Sequence, residues 1–169
     1  MKEEKMTNKT TDLLVKNAII AAIYMALTYA FASVSYGIIQ FRVSEVLNLL
    51  VWYNPLYLPG VVLGCAFANL GSPFGVIDIV VGTFHTFISL YAMSKINNRT
   101  LASMMPALFG FIIGAEVAYI EGFAAFLPTT LSVIVSELVI CSLVSLPLYR
   151  TLEENNYIRH NIFTFRLSR

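Results

Sequence analysis

With 57% hydrophobic residues, 12% charged residues and a mean hydropathy of +0.72 over 169 positions, the chain carries about half the charge of a soluble domain, where roughly a quarter of residues are charged. That balance excludes a soluble domain and places the chain in a bilayer. Eleven basic against ten acidic residues give a net charge of +1, but the basic ones gather at the two ends and in one short loop, which excludes a nucleic-acid surface and makes them orientation signals.

Residues 1–16 are polar and precede a long span without a small-residue cleavage site, so they read as an uncleaved, cytoplasmic N-terminal segment. Asn17 to Tyr36 is the first apolar span, close to the roughly 20 residues a helix needs to cross ~30 Å of hydrocarbon. Within it Ala18, Ala22 and Ala26 stack small side chains on one stripe, a pattern that lets helices approach closely in lipid. From Val43 to Leu70 the chain is either one long tilted helix or two short ones broken near Asn54-Pro55. Further spans run from Val76 to Ser94, Leu101 to Tyr119 and Leu127 to Tyr149. The tail, residues 151–169, carries Arg159, Arg166 and Arg169 among Phe163 and Phe165, which fits an amphipathic anchor on the inner leaflet or a flexible end.

Charge placement chooses between the two readings of Val43–Leu70. Two short helices give six crossings with both termini on one side, and Lys2, Lys5, Lys9, Lys16, Lys95, Arg99, Arg150, Arg159, Arg166 and Arg169 then all face the cytoplasm. One long helix would send Lys95, Arg99 and the C-terminal arginines outward, against the positive-inside tendency. The expectation is therefore an all-α integral membrane protein, a six-helix bundle over residues 17–150 with N and C termini cytoplasmic. Halves of 12 to 16 residues reach only ~18–24 Å at 1.5 Å rise, so neighbours must shelter them.

That topology fixes where each embedded polar group lies. Arg42 and Glu45 fall at the outer start of helix 2, Asn69 at the outer end of helix 3, Asp78 at the outer start of helix 4, Glu116 near the outer end of helix 5, and Glu137 about ten residues into helix 6. One polar cavity open to the outside accounts for all six. Glu137, flanked by Val133, Ile134, Val135, Leu138 and Val139, would cost roughly 2.5 kcal/mol or more in mid-membrane without a partner or water. Arg42 and Glu45 also have the spacing of a structural i,i+3 ion pair. Glu121, in a loop, reads as exposed. Cys65 and Cys141 lie in apolar runs and read as buried, inert thiols without metal-ligand spacing.

Phe41-Arg42-Val43-Ser44-Glu45, the Gly64-x-x-x-Ala68-Asn69 step, Asp78-Ile79-Val80-Val81-Gly82 and Ser136-Glu137-Leu138 together resemble the QueT family, over residues 17 to 150. The resemblance implies a substrate-binding S component of an energy-coupling factor (ECF) importer in a prokaryotic plasma membrane. A transmembrane scaffold and two ATPases would supply the work, and the stripe Ala18, Ala22, Ala26 would dock that scaffold. The chain has no phosphate loop of its own, and no cofactor or metal is called for. The implied ligand is a queuosine precursor such as preQ1, a 7-deazaguanine with a cationic aminomethyl group and two adjacent N–H donors. Carboxylates suit both features, so Glu137 and Glu45 are the first choices, unassigned between them, with Glu116 and Asp78 in reserve. Asn48 or Asn69 then reaches the ring carbonyl or the N7 side, Arg42 orients Glu45, and Phe41, Trp52 or Tyr119 stacks on the base. Trp52, near the cytoplasmic end of helix 2, also fits an interfacial belt position.

Other readings stay open: an S component for another vitamin-like heterocycle, or an autonomous proton-coupled transporter. An intramembrane enzyme would have only His85 and Ser89, one turn apart, as a dyad, without a nucleophile turn or oxyanion site.

Overall fold

The computed structural model describes residues 2–36 and 40–163, with side chains from Thr10 onward. Among them there is no strand. The helices are α1 (Lys2–Ala30), α2 (Ala32–Ser35), α3 (Leu49–Tyr53), α4 (Leu58–Asn69), α5 (Val76–Lys95), α6 (Arg99–Ser103), α7 (Met105–Leu108), α8 (Phe111–Glu121), α9 (Phe126–Glu137), α10 (Ser145–Glu153) and α11 (Asn156–Asn161). Tight 3-10 turns at Val43–Asn48, Pro55–Tyr57 and Phe123–Ala125 lead into α3, α4 and α9. A π-wound stretch, Leu138–Val144, joins α9 to α10.

Three stretches are long and apolar enough to cross a membrane alone: Thr10–Ala30, Val76–Lys95 and Phe123–Glu153. Val43–Tyr53 and Pro55–Asn69 are apolar but shorter. They are separate because Asn54 is extended, at φ −145° and ψ 103°, as a residue before proline prefers. Its side chain accepts the Leu56 amide at 3.1 Å and so starts the next helix. The expected single span Leu101–Tyr119 is instead three short helices, α6 to α8. Pro106 has no amide to continue the ladder and Gly110 precedes α8, which breaks the run twice.

The α1 helix packs along α4, α4 on α5, α5 on α7 and α8, and α8 on α9; residues Val43–Asn48 wedge between α1 and the π-wound stretch. The α1–α4 approach depends on glycine. A Cβ on Gly60 would stand 2.7 Å from the Asn17 carbonyl oxygen, and one on Gly64 would stand 2.7 Å from Tyr24 Cβ. The face of α1 turned inward is Ile20, Ala21, Tyr24 and Thr28, whereas Ala18, Ala22 and Ala26 are exposed. The alanine stripe is therefore no internal contact. Ala18 and Ala22 border an apolar groove of about 810 Å³ with Leu56, Leu63, Phe67 and Tyr91.

Lys16 of α1 and the last described residues meet at one end of the bundle, where Lys16 Nζ donates to the Asn161 carbonyl at 3.0 Å and Tyr57 Oη donates to the Ile162 carbonyl at 3.2 Å. Tyr53 stacks against Phe163 at 4.0 Å and Tyr149 at 5.5 Å between ring centroids. Phe163 is 1% exposed. The tail is thus fastened to the body at Phe163, with Ile158 and Ile162 packed against the core, while residues 155–157 and 159–161 stay exposed. Phe165, Arg166 and Arg169 and the side chains of Lys2, Lys5 and Lys9 lie outside the described residues. Lys16, Lys95, Arg99, Arg150 and Arg159 all belong to this end.

Candidate functional site

The other end of the bundle holds polar residues that the fold has taken out of contact with its surroundings. Arg42, Glu45, Asn48, Asn69, Asp78, Glu116 and Glu137 are each at most 6% exposed. Glu45 and Asn48 ride on the Val43–Asn48 turn, which Ser44 fixes to α1 through a 2.7 Å hydrogen bond between its hydroxyl and that of Thr28. Glu137 ends α9, and the Gln40 amide donates to Ser132 Oγ at 3.2 Å, drawing the segment before Arg42 against that helix. As a result Gln40, Arg42, Glu45, Val133, Ser136 and Glu137 line one cavity of only about 10 Å³, room for a single water.

Around this cavity one cation faces two carboxylates directly. One ligand atom each from Glu45, Glu137 and Cys141 lies within 4.8 Å of the others. Two ionised carboxylates that close repel strongly in a low-dielectric interior, and a cationic or proton-donating ligand between them relieves the repulsion. A sulfur and two carboxylates also form a donor set for a divalent metal. Arg42 lines the same cavity, however, and would repel a dication held there.

Asn69, Asp78 and Glu116 form a second polar group beside Arg42. Asn69 Nδ2 donates to the Asp78 carbonyl at 2.9 Å, and the carboxylate folds back over Gly82, where a Cβ would come 2.6 Å from Asp78 Oδ1 and 2.7 Å from Asn69 Nδ2. The Asp78-to-Gly82 spacing is thereby explained. Asp78 is the foremost like charge acting on Glu116, and Arg42 is its countercharge. Asn69 Oδ1, Asp78 Oδ2, both Glu116 oxygens and Arg42 Nε are buried without a protein partner. So many open donors and acceptors in one region set it apart from a finished core, in which nearly every buried polar atom is paired.

The QueT transporter family model matches residues 14–154. This chain belongs to the QueT transporter family. A segment of 85 residues, 49% of the chain, is 42% identical to the queuosine precursor transporter QueT of Lactococcus lactis subsp. cremoris (strain MG1363) and covers 49% of it. That alignment spans about half the length of the relative. No solved structure matches the chain.

Within this QueT-family chain several side chains stand elsewhere than the sequence suggested. Arg42 and Glu45 form no ion pair. The Arg42 backbone is extended, at φ −96° and ψ 94°, so its side chain leaves the face that an i,i+3 pair requires. Its Nη1 instead reaches Cys65 Sγ at 3.7 Å, and its guanidinium lies 5.8 Å from the centre of the Tyr36 ring. Tyr36 is thus an aromatic beside Arg42 that the sequence did not single out. Tyr119 is 82% exposed, and Trp52 bonds through Nε1 to the Ile96 carbonyl at the far end. His85 Nε2 is 3.1 Å from the Pro106 carbonyl oxygen and makes no bond to Ser89. Sequence reasoning missed the thiols. Cys65 also contacts Thr86 Oγ1 at 3.2 Å, and Cys141 contacts Glu137 Oε2 at 3.2 Å; the available signal was the i,i+4 spacing of Glu137 and Cys141.

Proposed function

We propose that this QueT-family chain is the substrate-capturing membrane subunit of an ECF-type importer, taking up preQ1 or a related 7-deazaguanine from outside. The observation that carries this reading is the buried arrangement of Glu45 and Glu137 on one cavity with Arg42, with Asp78 and Glu116 behind it. Two of these carboxylates match a ligand with two adjacent N–H donors at one edge and an ammonium at another, each charge-assisted bond contributing about 1.5–3 kcal/mol. The Lactococcus relative, a queuosine precursor transporter by name, points to the same class of solute. Glu45 and Glu137 are the principal ligands in this reading, while Asn48, Asn69, Asp78, Glu116 and Arg42 complete the site.

Six crossings with both termini cytoplasmic are part of the proposal. The gathering of Lys16, Lys95, Arg99, Arg150 and Arg159 at one end, with the acid-rich site at the other, favours that orientation. The short helices Val43–Tyr53 and Pro55–Asn69 would each cross in the shelter of α1 and α5. The exposed stripe Ala18, Ala22, Ala26 would be the docking face for the ECF scaffold, which works with two ATPase subunits in the plasma membrane of a prokaryote. A pocket for a drug-sized ligand has typically 300–1,000 Å³, so a bicyclic ligand has to open the present cavity of about 10 Å³ as it enters.

Calorimetry on the purified chain in detergent tests the reading. Expected is partner-free binding of preQ1 that is weakened at least ~10-fold for preQ0, which lacks the ammonium, and is lost in Glu137→Gln. Equal binding of preQ1 by a folded Glu137→Gln variant would remove Glu137 from the site. Failure of every 7-deazaguanine would reopen the substrate.

A further inference from the structure

Cys141 reads from the sequence as an inert apolar thiol, yet its sulfur lies within 4.8 Å of a carboxylate oxygen of both Glu45 and Glu137, the two acids of the cavity. It sits in the π-wound stretch that follows Glu137, with its Sγ 3.2 Å from Glu137 Oε2, 3.5 Å from the Glu45 backbone carbonyl and 3.7 Å from Asn48 Nδ2. A thiol has one proton to give. The Glu137 oxygen is the nearer acceptor, at 3.2 Å against 3.5 Å for the Glu45 carbonyl, so the proton goes to Glu137, and the sulfur accepts from the Asn48 amide. The result is a chain of donors, Asn48 N–H to Cys141 Sγ and Cys141 S–H to Glu137 Oε2. It links the segment bearing Glu45 to the helix bearing Glu137. Asn48 is 2% exposed and its Oδ1 has no protein partner, so the amide that feeds the thiol also leaves a buried acceptor open.

We propose that Cys141 is a positioning residue for substrate capture. It holds one oxygen of Glu137 so that the other faces the ligand, and it locks Asn48 in the orientation that presents Oδ1. The proposal rests on the reading of Glu137 as a ligand-binding carboxylate. It also changes the role of Asn48, whose nitrogen is committed to sulfur and whose oxygen is what remains to meet a donor on the ligand. The positional logic predicts an order of effects opposite to that of a packed apolar thiol. An inert buried cysteine is replaced better by alanine than by serine, because a hydroxyl buried without a partner is costly. A donating cysteine is replaced better by serine, which keeps the proton.

The test pairs calorimetry with infrared spectroscopy of the full chain in detergent. The S–H stretch absorbs where no other protein group does, and the wild-type minus Cys141→Ser difference isolates the Cys141 band. Expected is a band displaced to low frequency that moves part of the way toward the unbonded position in Glu137→Gln, whose amide oxygen is a weaker acceptor, and all the way in Glu137→Leu, a reading that needs no ligand. Expected in calorimetry is a loss of preQ1 affinity of ~10-fold or more in Cys141→Ala, with Cys141→Ser within ~3-fold of wild type. A Cys141 band insensitive to Glu137→Gln overturns the proposal, as does a folded Cys141→Ala that binds like wild type or better than Cys141→Ser. Loss of affinity in Cys141→Ala with none in Glu137→Gln overturns it too, since Cys141 would then touch the ligand itself. Failure of the site reading is distinguished by Glu137→Gln alone, whatever the thiol variants do.

Discussion

At the end of the bundle where Lys16 meets Asn161, polar groups are closed onto one another, and at the opposite end they are left open. Arg99 Nη1 donates to Glu153 Oε1 at 2.8 Å and to Tyr53 Oη, Tyr53 Oη donates to the same carboxylate at 2.7 Å, and Asn17 serves both the Leu56 carbonyl and the Gly60 amide. None of these residues has a buried polar atom without a partner. The site end has many, on Arg42, Asn48, Asn69, Asp78, Glu116, Thr129 and Thr130. Each such atom costs about 1–3 kcal/mol when nothing meets it. The end with Tyr53, Tyr57, Tyr149 and Phe163 in the main apolar core therefore supplies stability that the end with the open polar atoms lacks.

The largest effect that would break this division is expected at Tyr53. It is fully buried, stacked on two rings and bonded to Arg99 and Glu153, so Tyr53→Ala should cost about 3–5 kcal/mol through the cavity and the stranded polar partners. Thermal unfolding in detergent, followed with and without ligand, measures it. A drop no larger than that of an exposed substitution would show that the aromatic cluster is not what holds the tail.

A smaller loss of stability with a larger loss of binding is expected at the site end. In Gly82→Ala the new methyl would meet Asp78 Oδ1 at 2.6 Å and Asn69 Nδ2 at 2.7 Å, forcing both off their present positions at about 1–3 kcal/mol. Ligand affinity, read by calorimetry, should fall by ~10-fold or more, since each displaced charge-assisted contact is worth that much. Wild-type affinity in a folded Gly82→Ala would place the Asp78–Asn69 pair outside the site and leave the Glu45–Glu137 cavity to act alone.

The same contrast explains what the sequence made legible. Spans such as Val76–Lys95 stand out because twenty residues of apolar composition are a strong signal, and the break at Asn54 stands out because proline follows it. The division of Leu101–Tyr119 into α6, α7 and α8 was hidden, since apolar residues flank Pro106 and Gly110 on both sides and composition alone reads as one span. Buried acids announce themselves by their cost in an apolar run, so Glu45, Asp78, Glu116 and Glu137 were all visible. Their partners were not. Cys65 and Cys141 look apolar on any hydropathy scale, and only the fold shows them placed between charged groups. The Arg42–Glu45 pairing failed for a local reason: the helical spacing holds only where both residues are helical, and Arg42 is extended.

The smallest effect is expected where the contrast is sharpest in appearance, at the Arg99–Glu153 ion pair. Its side chains keep 20% and 25% of their exposure, so solvent and salt screen the charge, and such pairs contribute about 1 kcal/mol or less. Glu153→Gln retains Oε1 as an acceptor for both Tyr53 and Arg99 and removes only the charge. Unfolding in low and high salt should therefore show a shift well below that of Tyr53→Ala, shrinking as salt is added, with ligand affinity unchanged because the residue lies at the opposite end from Glu45 and Glu137. A shift as large as that of Tyr53→Ala would mean that charge, not aromatic packing, fastens the tail. A change in ligand affinity would mean that the two ends communicate, and the helix Val43–Tyr53, with Glu45 near one end and Tyr53 at the other, is the element through which they would do so.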